Sequence, residues 1–304
     1  MSEDADRPAP PAPESPAPAG TEFDVVLDTD GIEVDDEVDT LDISAEASRE
    51  ATDEEAAAKL NGDQFVYVAA RLLKEKNAAV AVVRRKVIAV EANGQILVDN
   101  GTPQGARVRA SKVSDAHKVL LLTVGDLQTE WNLLDPLKGC IGEFLRLLVE
   151  PEALIECKVR GLNELQRAWT IYAADVSHVV VIGHGSERGL YFGGDDRDVS
   201  AGDFVTCLSG HDTRKTFLLL PCKTGLAGFA KALSAADIAG DVFAPKNSVE
   251  AAEGARFVHG FFTDTFLFGV SGAVAFNRAV RAGPAKTARF RMWRKGVMQK
   301  VTTG

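Results

Sequence analysis

The stretches Val179-Val180-Val181-Ile182-Gly183-His184-Gly185 and Phe217-Leu218-Leu219-Leu220-Pro221-Cys222-Lys223-Thr224-Gly225 decide how this chain is read. Each opens as an unbroken apolar run and closes on a polar side chain with glycine close by. Runs this short and this apolar fit strands buried on both faces, as in a parallel sheet covered by helices. In an open α/β sheet, ligands bind in the crevice beyond the C-terminal strand ends. His184 and Cys222 both stand at such ends. An imidazole and a thiol presented together make a general base and a nucleophile.

The surrounding text repeats the pattern. Lys118–Val124 reads as another strand buried on both faces. Leu133, Leu137, Ile141, Phe144, Leu145 and Leu148 then recur at helical spacing. Glu152–Val159 reads as a strand and Leu162–Tyr172 as a helix. After the His184 strand comes a Gly- and Asp-rich loop, Gly193–Asp198. Beyond the Cys222 strand the pattern predicts a helix over Thr224–Leu233 and a strand over Gly240–Phe243. Helices over Glu250–Leu267 and Ser271–Val280 and a final strand over Ala288–Val297 complete it. Strands alternating with helices imply parallel pairing and an α/β fold. Upstream, Phe65, Val68, Leu72 and Leu73 suggest a helix over Gln64–Lys76. Ala79–Ala92 and Gln95–Asp99 read as strands joined at Asn93-Gly94, a strong hairpin signal. Three regions are therefore expected: a tail over 1–60, a helix and hairpin extension over 61–112, and the main domain over 113–304.

The chain has 304 residues and a net charge of −10. Its first 60 residues hold 19 Asp and Glu against 3 Lys and Arg, a net of −16, so residues 61–304 carry +6. Six of the 12 prolines lie between Pro8 and Pro18. Such text cannot bury enough apolar surface to offset chain entropy, so disorder is expected there, with at most a weak helix near Asp53–Leu60. The body is only mildly basic. Its one cluster, Arg289, Arg291, Arg294 and Lys295, reads as a strand with a solvated face rather than a nucleic-acid site. No signal peptide and no membrane-length apolar run is visible. The four cysteines, Cys140, Cys157, Cys207 and Cys222, are widely spaced, with no metal-ligand pattern. A reduced cytoplasmic protein without metal or cofactor is expected.

Each candidate residue also has a plain structural reading. A free cysteine is commonly a packing residue. Cys222 differs because it ends an apolar strand, and Lys223-Thr224-Gly225 after it is expected to open a helix. A helix N-terminus and an adjacent lysine both favour thiolate. Cys140 and Cys157 read as core, and Cys207 flanks a loop. A strand-end histidine can simply be satisfied by backbone. Gly185 after His184 changes the balance, because a glycine lets backbone approach a substrate and aim its N–H at an oxyanion. His117, His178, His211 and His259 lack such a setting and are expected to be structural or on the surface. Ser186 fails the nucleophile-elbow pattern, since His184 and Arg188 occupy the positions that require glycine. No Gly-rich phosphate loop is present.

From about residue 117 to 284 the chain resembles the caspase-like cysteine peptidases of clan CD, and among them the CHAT family. That group has an apolar strand ending in His-Gly, and later an apolar strand ending in Cys, commonly followed by Glu-Thr-Gly. Here the second motif is Cys222-Lys223-Thr224-Gly225, with Lys in place of Glu, and Pro221 replaces the usual small residue before Cys. Phe257, Phe261 and Phe262, then Gly269, Ser271, Ala275 and Ala279, are similar to the family's downstream aromatic, Gly-Ser and spaced-alanine text. The resemblance implies a caspase-like three-layer sandwich with a mostly parallel sheet flanked by helices. It implies that Cys222 attacks a peptide carbonyl, that His184 handles protons, and that the N–H groups of Gly185 and Cys222 form the oxyanion hole. It implies a specific protein substrate, such as a gasdermin-like bacterial defence effector. In that fold the loop after the first strand, here Gly125-Asp126-Leu127-Gln128, helps line the pocket for the residue before the cut. Asp126 there would favour a basic or neutral residue and reject an acidic one. The alternative is a catalytically silent caspase-like scaffold or regulatory binding protein. A redox or acyl-transfer role for Cys222 has no supporting motif. The acidic tail reads as a solubilising segment or as the site of a regulatory partner.

Overall fold

Two short elements come first in the computed structural model, which describes residues 40–41, 52–73, 79–114, 117–126, 131–193, 197–211, 213–282 and 290–300. They are strand β1 (Thr40–Leu41) and helix α1 (Asp53–Ala57). Apart from Thr40–Leu41, the tail through residue 51 lies outside the described residues. A capping box starts α1: Thr52 Oγ1 accepts from the Glu55 N–H at 3.2 Å, and the Thr52 N–H donates to Glu55 at 3.0 Å. Asp53 then accepts from the Ser111 hydroxyl at 2.5 Å, which holds its carboxyl below the usual range. Ordered structure thus reaches back beyond residue 61, and Ala57 is buried in the small core that follows.

That core belongs to a five-stranded antiparallel sheet. Its members are β2 (Phe65–Ala69), β3 (Val82–Val90), β4 (Gln95–Val98), β5 (Ala106–Arg109) and β6 (Val113–Ser114), in the order β5-β4-β3-β2-β6. The helix expected over Gln64–Lys76 is instead β2 followed by one 3-10 turn, Ala70–Leu73; residues 74–78 lie outside the described residues. Val66 and Val68 are fully buried while Phe65 is exposed, the period of a strand. Phe65, Val68 and Leu72 also fit helical spacing, and pairing with β3 and β6 decides between the two. The Asn93-Gly94 hairpin forms as expected. Gly94 has φ +75°, and a Cβ there would lie 2.5 Å from Asp53 Cβ, so both the turn and α1 require glycine.

The main sheet follows. In chain order come β7 (Lys118–Val124), α2 (Trp131–Leu145), β8 (Leu154–Val159), α3 (Leu162–Tyr172) and β9 (Val176–Ile182). Then come the hairpin strands β10 (Leu190–Phe192) and β11 (Arg197–Val199), and α4 (Ala201–Cys207). The chain continues with β12 (Lys215–Leu219), α5 (Phe229–Ala235), β13 (Ala239–Pro245), α6 (Ala251–Phe262), α7 (Gly272–Ala282), β14 (Phe290–Arg294) and β15 (Val297–Gln299). The sheet order is β1-β15-β14-β13-β12-β9-β7-β8. The five strands from β13 to β8 are parallel, and β14 is antiparallel to β13. Residues 194–196 of the predicted Gly-Asp loop, and Ala288 and Arg289, lie outside the described residues.

Both faces of this sheet are covered. Val119, Leu121, Val180, Ile182, Leu218 and Leu220 pack into a layer with Leu134, Ile141, Phe257, Phe261 and Phe276 from α2, α6 and α7. Leu120, Leu122, Val124, Val179, Val181, Phe217 and Leu219 pack the other way, against Leu165, Trp169, Phe204, Phe229 and Leu233 from α3, α4 and α5. This matches the unbroken apolar runs: on the central strands β7, β9 and β12 the apolar residues meet a helical layer on either face. The result is the expected three-layer sandwich with a mostly parallel sheet flanked by helices.

Two expectations change in detail. The helix over Glu250–Leu267 is α6 followed by a π turn, Thr263–Leu267. The single final strand is a hairpin, β14 and β15, closed by Lys295 (φ +51°) and Gly296 (φ +76°). Two successive positive φ angles suit a tight hairpin. Arg294, read as solvated, instead forms a two-pronged pair with Asp241 across β13 and β14, at 2.5 and 2.8 Å. That bond raises the Arg294 guanidinium further above its ordinary value.

Candidate active site

Side chains alternate along a strand, and this parity builds the site. Val180 and Ile182 face the layer of α2, α6 and α7, so His184, two residues on, continues towards it. Leu218 and Leu220 face the same layer, so Cys222 does too. Strands β9 and β12 are adjacent and parallel, with Leu219 beside Val181, so the two ends arrive together. The outcome is one pocket lined by both residues. It encloses about 440 Å³ of space, part of it open to solvent. Gly183, Leu134 and Leu137, together with Leu220, Val249, Glu250, Ala251 and Gly254, complete its lining.

The two loops touch. A Cβ on Gly185 would lie 2.8 Å from Pro221 Cβ and 3.1 Å from the Cys222 carbonyl oxygen. Glycine is therefore required after His184 so that the imidazole loop can lie on the thiol loop. Gly183 is similarly constrained, since its Cβ would meet the Val124 oxygen at 2.6 Å. The chain turns back after His184, with the Tyr191 N–H donating to the His184 carbonyl at 3.1 Å. Among the described residues, no backbone carbonyl takes up the N–H of Gly185 or of Cys222.

The segment after Cys222 departs from expectation. It does not open a helix; α5 begins only at Phe229. Lys223 takes φ +61°, and Thr224 Oγ1 donates to the Pro221 carbonyl at 2.7 Å. The Lys223 N–H donates to Asn247 O at 3.3 Å and the Gly225 N–H to Pro245 O at 2.7 Å. A Cβ on Gly225 would meet the Ala244 oxygen at 2.4 Å. The loop is thus laced to the end of β13 rather than wound into a helix, so the segment after Cys222 brings no helix N-terminus to the sulfur. Instead the Val249 N–H points at Cys222 Sγ, 3.5 Å away, and the thiol faces the Val249 carbonyl at 3.9 Å. No sequence signal marks Val249, because its contribution is backbone. Leu134 and Gly254 were likewise not singled out, whereas Leu137 was legible only as part of a helical stripe.

Asp126 lies at the end of β7, on the same edge of the sheet. It is half-buried, and a Cβ on Gly193 would come within 2.7 Å of its Cβ. Its charge is the smallest of the contributions that raise Arg160, behind the Glu164 hydrogen bond. Asp126 does not line the pocket shared by His184 and Cys222. Leu127 and Gln128 lie outside the described residues.

The remaining thiols and imidazoles sit elsewhere. Cys140, read as core, is exposed, with its sulfur 3.9 Å from His259 Nε2. Cys157 is half-buried on the edge strand β8, and burial raises its thiol. Cys207 donates to the Leu162 carbonyl at 3.8 Å. His117 and His178 are half-buried at the opposite end of the sheet, and His211 lies edge-on to Trp169. Among the described residues, no three His, Cys, Asp or Glu side chains converge to hold a metal ion. No described helix is long and apolar enough to cross a membrane.

No family model and no curated protein matches the chain. Among solved structures it is similar to a secreted C11 cysteine protease from Bacteroides thetaiotaomicron in complex with an irreversible peptide inhibitor. The identity is 12%, over 59% of this chain and 66% of that one, with a TM-score of 0.45. It is also similar to an inactive zymogen C11 protease from Parabacteroides distasonis, at 11% identity over 59% and 62% of the two chains, with a TM-score of 0.41. The chain covers just under two thirds of the length of each.

Proposed function

We propose that this chain is a cysteine endopeptidase in which Cys222 is the nucleophile and His184 the proton carrier. The observation that carries the proposal is the opening of both side chains into one pocket, from neighbouring parallel strand ends. The His184-Gly185 and Cys222-Lys223-Thr224-Gly225 motifs, which resemble those of CHAT-like clan CD peptidases, support it. In this reading Cys222 gives its proton to His184, and the sulfur attacks the peptide carbonyl carbon. The carbonyl oxygen takes the negative charge and accepts from the N–H groups of Gly185 and Cys222. His184 then gives its proton to the departing amine, leaving a thioester on Cys222. Water, deprotonated by His184, hydrolyses the thioester and restores the thiol.

The expected substrate is a specific protein partner, a gasdermin-like defence effector being the kind the resemblance implies. Asp126 places a carboxylate on the same sheet edge and disfavours an acidic residue before the cut. Co-expression with neighbouring gene products, read for a cleaved partner, tests the substrate. The chemistry is tested by Cys222→Ala and His184→Ala. Each is expected to lower kcat/KM by about 10³-fold or more while leaving the unfolding midpoint unchanged. Normal cleavage of the partner by Cys222→Ala refutes the mechanism.

A further inference from the structure

We infer that the pocket beside Cys222 receives one large apolar side chain of the substrate, of Leu, Met or Phe type, next to the scissile bond. This rests on the peptidase reading and adds its specificity. Four apolar side chains share the pocket with Cys222: Leu134 and Leu137 from α2, Leu220 just after β12, and Val249 just before α6. Gly254, in the first turns of α6, forms part of the same wall and leaves space where a side chain would stand. Among the described residues, Glu250 is the only carboxylate in the lining. It is exposed and caps α6 through a capping box with Glu253. Solvent screens an exposed carboxylate, which makes it a weak partner for a substrate cation. The pocket is open at its mouth and its sheltered volume is about 80 Å³, room for a single side chain. A charged substrate side chain would lose hydration there without gaining a partner, whereas an aliphatic or aromatic one is stabilised by leaving water.

Gly254 provides the lever. A Cβ built there lies 3.6 Å from both Leu220 methyls and 3.7 Å from Val249 Cγ1, ordinary contact distances. A side chain at 254 is thus accommodated by the helix, and a large one projects into the pocket. Alanine and leucine are better helix formers than glycine, so neither weakens the helix by its intrinsic propensity.

The test uses the full chain and a peptide library varied on both sides of the cut, with cleavage sites read by mass spectrometry. Peptidyl electrophiles carrying Leu, Asp or Arg, scored by labelling of Cys222, run in parallel. The wild type is expected to prefer Leu, Met or Phe over Asp and Gly at one position flanking the cut, by about 10- to 100-fold. Gly254→Leu is expected to lower kcat/KM for the Leu peptide at least about 10-fold more than for its Ala counterpart. Gly254→Ala should fall between. Cleavage with no apolar preference on either side, or the same Leu-to-Ala ratio in Gly254→Leu, overturns the pocket and leaves the peptidase reading standing. No cleavage together with no labelling of Cys222 by any electrophile overturns both.

Discussion

Gly185 is the residue through which the two halves of the site meet. It lies against Pro221 and the Cys222 carbonyl at distances no Cβ tolerates without movement. Gly185→Ala should therefore push the imidazole loop off the thiol loop. The strain is expected to cost about 1–3 kcal/mol of stability. Peptide cleavage should fall by more than that stability loss accounts for, as read from kcat/KM at a temperature where the variant is folded. A variant with full activity would mean that the loops need not touch. Cys140→Ser makes the contrast. Its thiol is exposed and near His259, yet it lies away from the pocket, so activity should stay at the parent level. Loss of activity in Cys140→Ser with retention in Cys222→Ala would move the nucleophile. The two apolar runs that end on His184 and Cys222 made a thiol and an imidazole at strand ends legible from the sequence. The donor from Val249 was not legible, since an amide N–H looks the same in every residue.

At the scale of elements, the end of the sheet opposite the site holds two half-buried histidines packed among aromatic rings. His117 lies 4.3 Å from the Phe266 ring and 5.5 Å from Tyr67 of β2, and its Nε2 is buried without a hydrogen bond. His178, at the start of β9, contacts Ser177 Oγ at 2.8 Å and packs edge-on against Phe262 and Phe266. Burial pushes the two rings down to about 3 and about 4. In the unfolded chain each titrates near its ordinary value of 6.5. Between these values the unfolded state binds protons that the folded state refuses, so stability is complete above about pH 6.5 and is lost as pH falls towards 4. The slope approaches about 1.4 kcal/mol per pH unit for each ring. Urea midpoints should accordingly drop between about pH 7 and pH 5. The drop should be smaller in a His117→Phe, His178→Phe double variant. Equal drops in both proteins would show that other groups govern the acid limb. The contacts of Tyr67 and Phe266 with His117 also tie the small sheet to the main one, a linkage that neither segment announces alone.

For the whole molecule, the informative cut lies before Thr52. A chain starting at residue 52 retains α1, its capping box and the Asp53–Ser111 bond, and should unfold as cooperatively as the parent. A chain starting at residue 61 loses Ala57 from the small core and leaves Ser111 without its carboxylate partner. It should be less stable by about 2–4 kcal/mol in denaturant titration. Equal stability of the two truncations would show that α1 contributes nothing. Apolar runs, helical stripes and the Asn93-Gly94 turn were enough to specify a helix-covered, mostly parallel sheet with His184 and Cys222 at its C-terminal edge. The strand Lys118–Val124 and the helix Leu162–Tyr172 appear with the bounds their text predicts, because hydrophobic periodicity is a local property of the chain. Tertiary structure alone decided that Phe65–Ala69 is a strand, that Cys222 is followed by a turn laced to β13, and that a largely apolar pocket opens beside the sulfur. Those outcomes depend on backbone donors and partners supplied by segments far away in sequence, and no local pattern encodes which distant groups will be present to pair.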